Sequence, residues 1–292
     1  MSAVPSFAAE RARTGDPALD FCLWSYDPPA MPHAASLAGV NLLYAAAAQA
    51  GCMEAYRGLA AGLRAALGPH RTVWGVKWNG TALSSEFYFY DYERLERAHS
   101  FARIAAAFAP HCAVTVPVDD RVPYFMVSVE TPMAAGAFPA GAARADIYVG
   151  NPGSQVSSGI CYQVDGSGTE MKNFYFFFDA REAWEAVAAK AACSALVPLV
   201  EFPFDAVLPP WLRDCRVIVV ANKRRHDAVY FSGIGIAQLV RFLQTFGYPP
   251  SLTAYAEREA DNLAHLTFDV GFDYRMEDGR LVILKSGFYN VL

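Results

Sequence analysis

The feature that most restricts what this chain can become is a strand–turn–strand pattern that recurs five times. Residues 73–78 and 84–92 alternate in polarity around Asn79-Gly80, the strongest short-range signal for a β-hairpin. Residues 112–118 and 122–131 flank Asp119-Asp120, and residues 157–164 and 171–179 flank Asp165-Gly166-Ser167-Gly168. Residues 216–222 and 228–231 enclose a turn at 224–227, and residues 266–274 and 281–289 enclose Glu277-Asp278-Gly279. The second strands begin near positions 84, 122, 171, 228 and 281. Repetition on that scale marks a repeated supersecondary unit. Two copies agree in detail: Glu86-Phe87-Tyr88-Phe89-Tyr90-Asp91-Tyr92-Glu93-Arg94 lies beside Asn173-Phe174-Tyr175-Phe176-Phe177-Phe178-Asp179-Ala180-Arg181.

Helical text separates the hairpins. The Ala/Leu-rich stretch 34–67 reads as two helices broken near Gly51, and further helices are expected at 93–108, 181–196, 236–246 and 252–263. The class is therefore α+β. Five antiparallel hairpins remove their exposed strand edges most economically by closing into a barrel of about ten strands with the helices outside. Residues 1–33, with Pro5, Pro17, Pro28, Pro29 and Pro32, read as an irregular lead-in, and 34–292 as one barrel domain. A loop is expected at 132–143 and an additional strand at 146–150, leading into a Gly/Ser loop, Asn151-Pro152-Gly153-Ser154. That loop lacks the lysine and helix of a P-loop and reads as a plain turn.

Composition narrows the function classes. The chain is 54% apolar and 14% aromatic, with 15 Tyr and 20 Phe among 292 residues, more rings than core packing needs, so some are expected to line a cavity. The net charge is -5 and the basic residues are scattered, which argues against a nucleic-acid partner. Cys22, Cys52, Cys112, Cys161, Cys193 and Cys215 show no C-x-x-C and no metal-ligand spacing with histidine, so free thiols in a reducing cytoplasm are expected. Cys161 reads as a buried small hydrophobe. Neither an apolar leader nor a run of eighteen apolar residues is present, and no membrane span is expected. His99, His111, His226 and His265 have no serine or cysteine in a recognisable nucleophile context.

Side chains alternate along a strand. Glu86, Tyr88, Tyr90 and Tyr92 share one face of their strand, with Phe87, Phe89 and Asp91 on the other; Asn173, Tyr175 and Phe177 oppose Phe174, Phe176 and Phe178. Thr267, Asp269, Gly271 and Asp273 share a face, as Leu281, Ile283, Lys285, Gly287 and Tyr289 are expected to, and Lys77 lies with Val73 and Gly75. Strand after strand thus offers an oily face and a face of tyrosines with a lone Lys, Asp or Glu. The oily face suits packing under helices, and the tyrosine face suits an enclosed lumen.

In hairpin number, length, lone strand lysines (Lys77, Lys223, Lys285) and tyrosine pattern (Tyr88, Tyr90, Tyr175, Tyr230, Tyr289), residues 34–292 resemble the αββα-barrel aromatic prenyltransferases, the ABBA or PT-barrel family. The loop at 132–143 and the strand at 146–150 depart from that family's plan. The resemblance implies transfer of an isoprenoid group from its diphosphate to an electron-rich small-molecule or peptide acceptor, aromatic ones included, in specialised metabolism. It implies diphosphate binding by Lys77, Lys223 and Lys285, with Arg224 and Arg225 as additions, because a leaving anion needs preorganised positive charge. It also implies that Tyr88, Tyr90, Tyr175, Tyr230 and Tyr289 shield the allylic cation through their ring faces. Glu86, on the tyrosine face, is the candidate base or orienting carboxylate, with Asp269 and Asp273 behind it. Asp269 and Asp273 are also weak candidates to hold Mg²⁺ with a diphosphate. The rival reading is a non-catalytic barrel that binds a hydrophobic small molecule or peptide.

Overall fold

The computed structural model describes residues 6–13, 16, 29–91, 97–136, 138, 144–150, 157–199 and 202–292. Two helices come first, α1 (Val40–Gln49) and α2 (Met53–Leu67). They part at Gly51, whose φ of 74° is a conformation glycine adopts readily. Then come β1 (Thr72–Trp78), β2 (Leu83–Tyr90), α3 (Phe101–Phe108), β3 (Tyr124–Pro132), β4 (Arg144–Gly150), β5 (Ser158–Asp165) and β6 (Gly168–Asp179). The remainder is α4 (Trp184–Ala192), α5 (Phe204–Val207), β7 (Val217–Lys223), β8 (Asp227–Ile234), α6 (Ile236–Thr245), α7 (Pro250–Arg258), α8 (Ala260–Leu263), β9 (Phe268–Glu277) and β10 (Arg280–Val291). Every strand pairs antiparallel with its sequence neighbours, and β1 also pairs with β10 from Val73↔Val291 to Trp78↔Ser286. The sheet therefore closes into the ten-stranded barrel that the hairpins led us to expect, with helices packed outside.

Hairpin turns gather at one rim of the barrel, and the helix-bearing connections at the other. The turn chemistry is local. Asn79 Oδ1 accepts from the Thr81 and Ala82 amides at 3.0 and 2.8 Å. Asp278 and Gly279 both take the left-handed φ, 50° and 74°, that a two-residue hairpin turn requires. The oily faces look outward, as expected. Phe87 and Phe89 meet Phe108 of α3 edge-on at 5.8 and 5.9 Å, and Phe87 stacks on Tyr56 of α2 at 6.3 Å. Trp74 packs edge-on against Phe288 at 5.8 Å, and its indole N–H donates to the Val291 carbonyl at 3.1 Å.

The second hairpin differs from the sequence reading. No strand forms at 112–118, where Pro117 interrupts the alternation. Tyr124–Pro132 instead pairs with Arg144–Gly150. The strand taken as additional is thus the hairpin's return arm, and residues 133–143 connect its two arms. The helix expected at 93–108 is observed only over Phe101–Phe108, started by Ser100, whose Oγ accepts from the Arg103 amide at 3.3 Å; its expected first residues lie outside those described. So do the loop at 151–154 and most of the lead-in. The described part of the lead-in docks on the helices: Glu10 accepts from Tyr44 at 2.8 Å and from Arg64 at 2.7 Å.

Among the described residues four β-bulges interrupt the alternation, at Phe125, Lys172, Gly233 and Leu284. The last corrects one expected face: Lys285 pairs with Asp273 and points inward, whereas Ile283 pairs with Tyr274 and Leu281 with Met276, so both point outward. Among the described residues no helix is long and apolar enough to cross a membrane. Trp74 is fully buried where the closing seam meets the helices. Trp74→Ala is therefore expected to cost about 3–5 kcal/mol, read as a lowered urea midpoint with two-state cooperativity retained.

Candidate functional site

The inward residues sort into three layers along the barrel axis. Toward the helix-bearing rim lies an apolar chamber of about 740 Å³, its mouth included, walled by Val73, Tyr90, Phe125, Met126, Phe177 and Val219, with Ser232 and Asp269. The bulge at Phe125 is what lets Phe125 and Met126, neighbours in sequence, both face it. Next comes a belt of five tyrosines, Tyr88, Tyr148, Tyr175, Tyr230 and Tyr289, each of which touches both the apolar chamber and the space beyond. The rings contact one another: Tyr88 and Tyr289 at 5.8 Å, Tyr148 and Tyr175 at 5.9 Å, Tyr175 and Tyr230 at 6.3 Å. Burial pushes all five phenols well above their ordinary pKa, so they are neutral hydrogen-bond donors at physiological pH.

Two belt tyrosines lie against glycines of the wall. A Cβ on Gly75 would collide with the Tyr289 ring, and one on Gly271 with the Tyr230 ring. The Tyr289 hydroxyl would stand 2.8 Å from a Cβ on Gly287. Gly271 and Gly287 are direct cross-strand partners, and Gly75 pairs with Tyr289 itself. The missing side chains thus leave the rings room to lie along the wall.

Beyond the belt, at the hairpin-turn rim, the lumen is charged. Lys77 bridges Glu86 and, at 3.5 Å, Glu130; Lys172 pairs with Asp146; Lys223 reaches both oxygens of Asp273 at 2.9 Å; Lys285 stands 3.5 Å from Asp273. Four ammonium groups thus face four carboxylates. His226 adds a ring nitrogen 2.9 Å from Asp273, and Lys223 donates to the Tyr230 hydroxyl at 3.3 Å. Burial works to raise Glu86, but the Lys77 and Lys172 charges and the hydrogen bonds from Lys77 and Ser128 hold it well below the usual carboxylate range. Asp273 is likewise held low against burial by Lys223, His226 and Lys285. The Lys77 charge, together with burial, pushes Lys285 below its ordinary value. At the outer rim these same lysines, Lys172, Lys223 and Lys285, are joined by Arg224, Arg225 and His226, with Glu170 paired to Arg224.

Lys77, Lys223 and Lys285, on three different strands, do meet in one chamber, and Glu86 is among them. Glu86 is more tied down than a free base: besides Lys77, Tyr88 donates to it at 2.7 Å and Ser128 also donates. Tyr88, Tyr175, Tyr230 and Tyr289 stand in the belt, while Tyr90 lines only the apolar chamber. Asp269 and Asp273 do not form a pair. One lines the apolar chamber and the other the charged layer, with Gly271 between them. Among the described residues no group of three or more His, Cys, Asp or Glu is arranged to hold a metal ion.

The sequence reading missed Tyr148, Asp146, Lys172, Glu130 and Ser128. Asp146 and Tyr148 carried a usable signal, since they alternate on a strand that was set aside as additional. Lys172 carried none, because strict alternation puts it opposite Asn173 and only the bulge turns both inward. No protein-family model matches the chain, and no curated protein matches its sequence.

Two outcomes follow. Gly75→Ala is expected to displace the Tyr289 ring and cost roughly 1–3 kcal/mol by overpacking. In Gly75→Ala/Tyr289→Ala the two losses should fall short of adding, a coupling read by a double-mutant cycle. Glu86 titrates lower in the folded chain than the unfolded value of about 4.3. Its contribution to stability is therefore present above that pH and lost as pH falls toward the folded value. Glu86→Gln should flatten the acid limb of a stability-against-pH curve below about pH 4.3, and an unchanged limb would contradict the assignment.

Proposed function

We propose that this barrel is a prenyltransferase that moves an isoprenoid group from its diphosphate to an electron-rich small-molecule or peptide acceptor, aromatic ones included. One observation carries the reading: a belt of neutral tyrosines separates a lysine- and arginine-lined end from an apolar chamber inside one closed ring. An allylic diphosphate has that polarity. Its anion belongs at Lys172, Lys223, Arg224, Arg225 and Lys285, and its hydrocarbon belongs among the rings. When the C–O bond breaks, the electron pair leaves with the diphosphate, toward the cations. The allyl cation remains between ring faces that stabilise it and exclude water. The acceptor's nucleophilic carbon, in the apolar chamber, forms the new bond, and its proton passes to the departing diphosphate. Glu86, held ionised by Lys77, acts here as an orienting and electrostatic group. The resemblance to the αββα-barrel prenyltransferases supports the reading, and the free thiols of Cys52, Cys161, Cys193 and Cys215 fit a cytoplasmic enzyme of specialised metabolism.

A second reading has its own support. Each lumen lysine already faces a carboxylate, so the charged layer is internally neutral and could serve as a polar plug beneath a chamber that simply binds an apolar small molecule or peptide. Calorimetric titration with dimethylallyl or geranyl thiodiphosphate separates the two. The transferase is expected to bind the analogue, and Lys285→Ala, at the rim, to weaken it about tenfold or more, the worth of one charge-assisted hydrogen bond. No heat from either analogue would reject prenyl transfer and leave the binding barrel.

A further inference from the structure

The chain has five lysines, Lys77, Lys172, Lys190, Lys223 and Lys285, and four of them end in the charged layer. The carboxylates there are not shared evenly. Lys77 has Glu86 and Glu130, Lys172 has Asp146, and Lys223 reaches both oxygens of Asp273 at 2.9 Å. Lys285 comes last. Among the described residues its one ion pair is with Asp273 at 3.5 Å, and Lys223 and His226 hold that carboxylate more closely, at 2.9 Å. Its side chain is also the most exposed of the four. The bulge at Leu284 turns it inward, where it lines both the charged layer and the rim. We propose that Lys285 is a reactive amine that forms an imine with phosphorylated aldehydes, whose phosphate docks on Arg225 at the rim. This goes beyond prenyl transfer and does not depend on it.

An amine attacks a carbonyl only as the free base, so the reactive lysine of a cluster is the one whose proton is held least. The Lys77 charge, burial and the Lys223 charge all work against the ammonium form of Lys285, while Asp273 and Glu130 work for it, and the balance lies below the ordinary value. Lys77 and Lys172, by contrast, are held above theirs against burial, chiefly by Glu86 and Asp146. The other charged groups around Lys285 at the rim are Lys172, Arg224 with its partner Glu170, Arg225 and His226. Arg225 has no ion pair among the described residues, and a guanidinium binds phosphate through two parallel hydrogen bonds. The step balances. The ammonium first gives one proton to solvent, and the Lys285 nitrogen then bonds to the carbonyl carbon. Its two remaining protons leave with the carbonyl oxygen as water, and a C=N bond is left.

Two probes with the same ring and aldehyde test this, 4-formylphenyl phosphate and 4-methoxybenzaldehyde. Cyanoborohydride reduces any imine to a stable secondary amine, and mass spectrometry of the digested chain reads which lysine carries it. At neutral pH the wild-type chain is expected to take the phosphate probe on Lys285 about tenfold or more faster than on Lys190, the lysine outside the lumen. The methoxy probe should label Lys285 about tenfold more slowly than the phosphate probe. Arg225→Ala should remove that preference and leave the methoxy rate unchanged. The rate at Lys285 should level off below the pH of an ordinary lysine, about 10.4. Lys285→Arg keeps the charge but forms no imine, so the lumen label should vanish rather than move to Lys77, Lys172 or Lys223. The proposal is overturned if Lys190 is labelled as fast as Lys285, if Lys285 takes no label, or if the two probes label it equally. Labelling of Lys285 without thiodiphosphate binding would reject prenyl transfer and leave the reactive amine standing; the reverse pattern would do the opposite.

Discussion

Everything inside this molecule depends on the pairing of its first strand with its last. β1 lies between β2 and β10, and the six-residue register from Val73↔Val291 to Trp78↔Ser286 turns a ten-stranded ribbon into a ring. Without that seam the sheet would have two edges and the inward faces would be solvated. With it, Lys77 on β1 is held among Glu86 on β2, Glu130 on β3 and the lysines of β7 and β10, residues far apart in sequence. The seam is sealed from outside by Trp74, which bonds to the Val291 carbonyl and packs on Phe288.

Closure also explains the unusual electrostatics. Lysines and carboxylates removed from water need partners, and the charged layer supplies them in near-equal number. The pairing continues to the rim, where Arg224 meets Glu170 and Arg225 joins the lysines. An anion that enters meets Arg225 beside lysines that are themselves members of the ion-pair network. The carboxylate partners therefore hold the lysines in position.

Much of the fold was legible because alternation, turn chemistry and helix propensity agree. Asn79-Gly80 and Asp278-Gly279 each mark a hairpin, and the Phe and Tyr faces of residues 86–90 sort outward and inward as their spacing implies. The second hairpin was misread because 112–118 imitates a strand apart from Pro117, and because a long connection hides the true return arm at 144–150. At the site, alternation found Lys77, Glu86, Tyr88, Tyr175 and Tyr289. It failed where bulges redirect side chains: Lys172 entered unannounced, and Leu281 and Ile283 turned out. A bulge leaves little trace in one sequence, because it is settled by pairing between strands rather than by residues along one.

The glycines under Tyr230 and Tyr289 have a consequence for how this lumen can change. Because Gly75, Gly271 and Gly287 give those rings their resting places, the bore is set by backbone as much as by side chains, and a methyl added to the wall tilts an aromatic plate into the passage. The β1–β10–β9 sector thus behaves as an adjustable iris. Small substitutions there would resize the opening between the two halves of the barrel while leaving the charges on one side and the oily pocket on the other where they are.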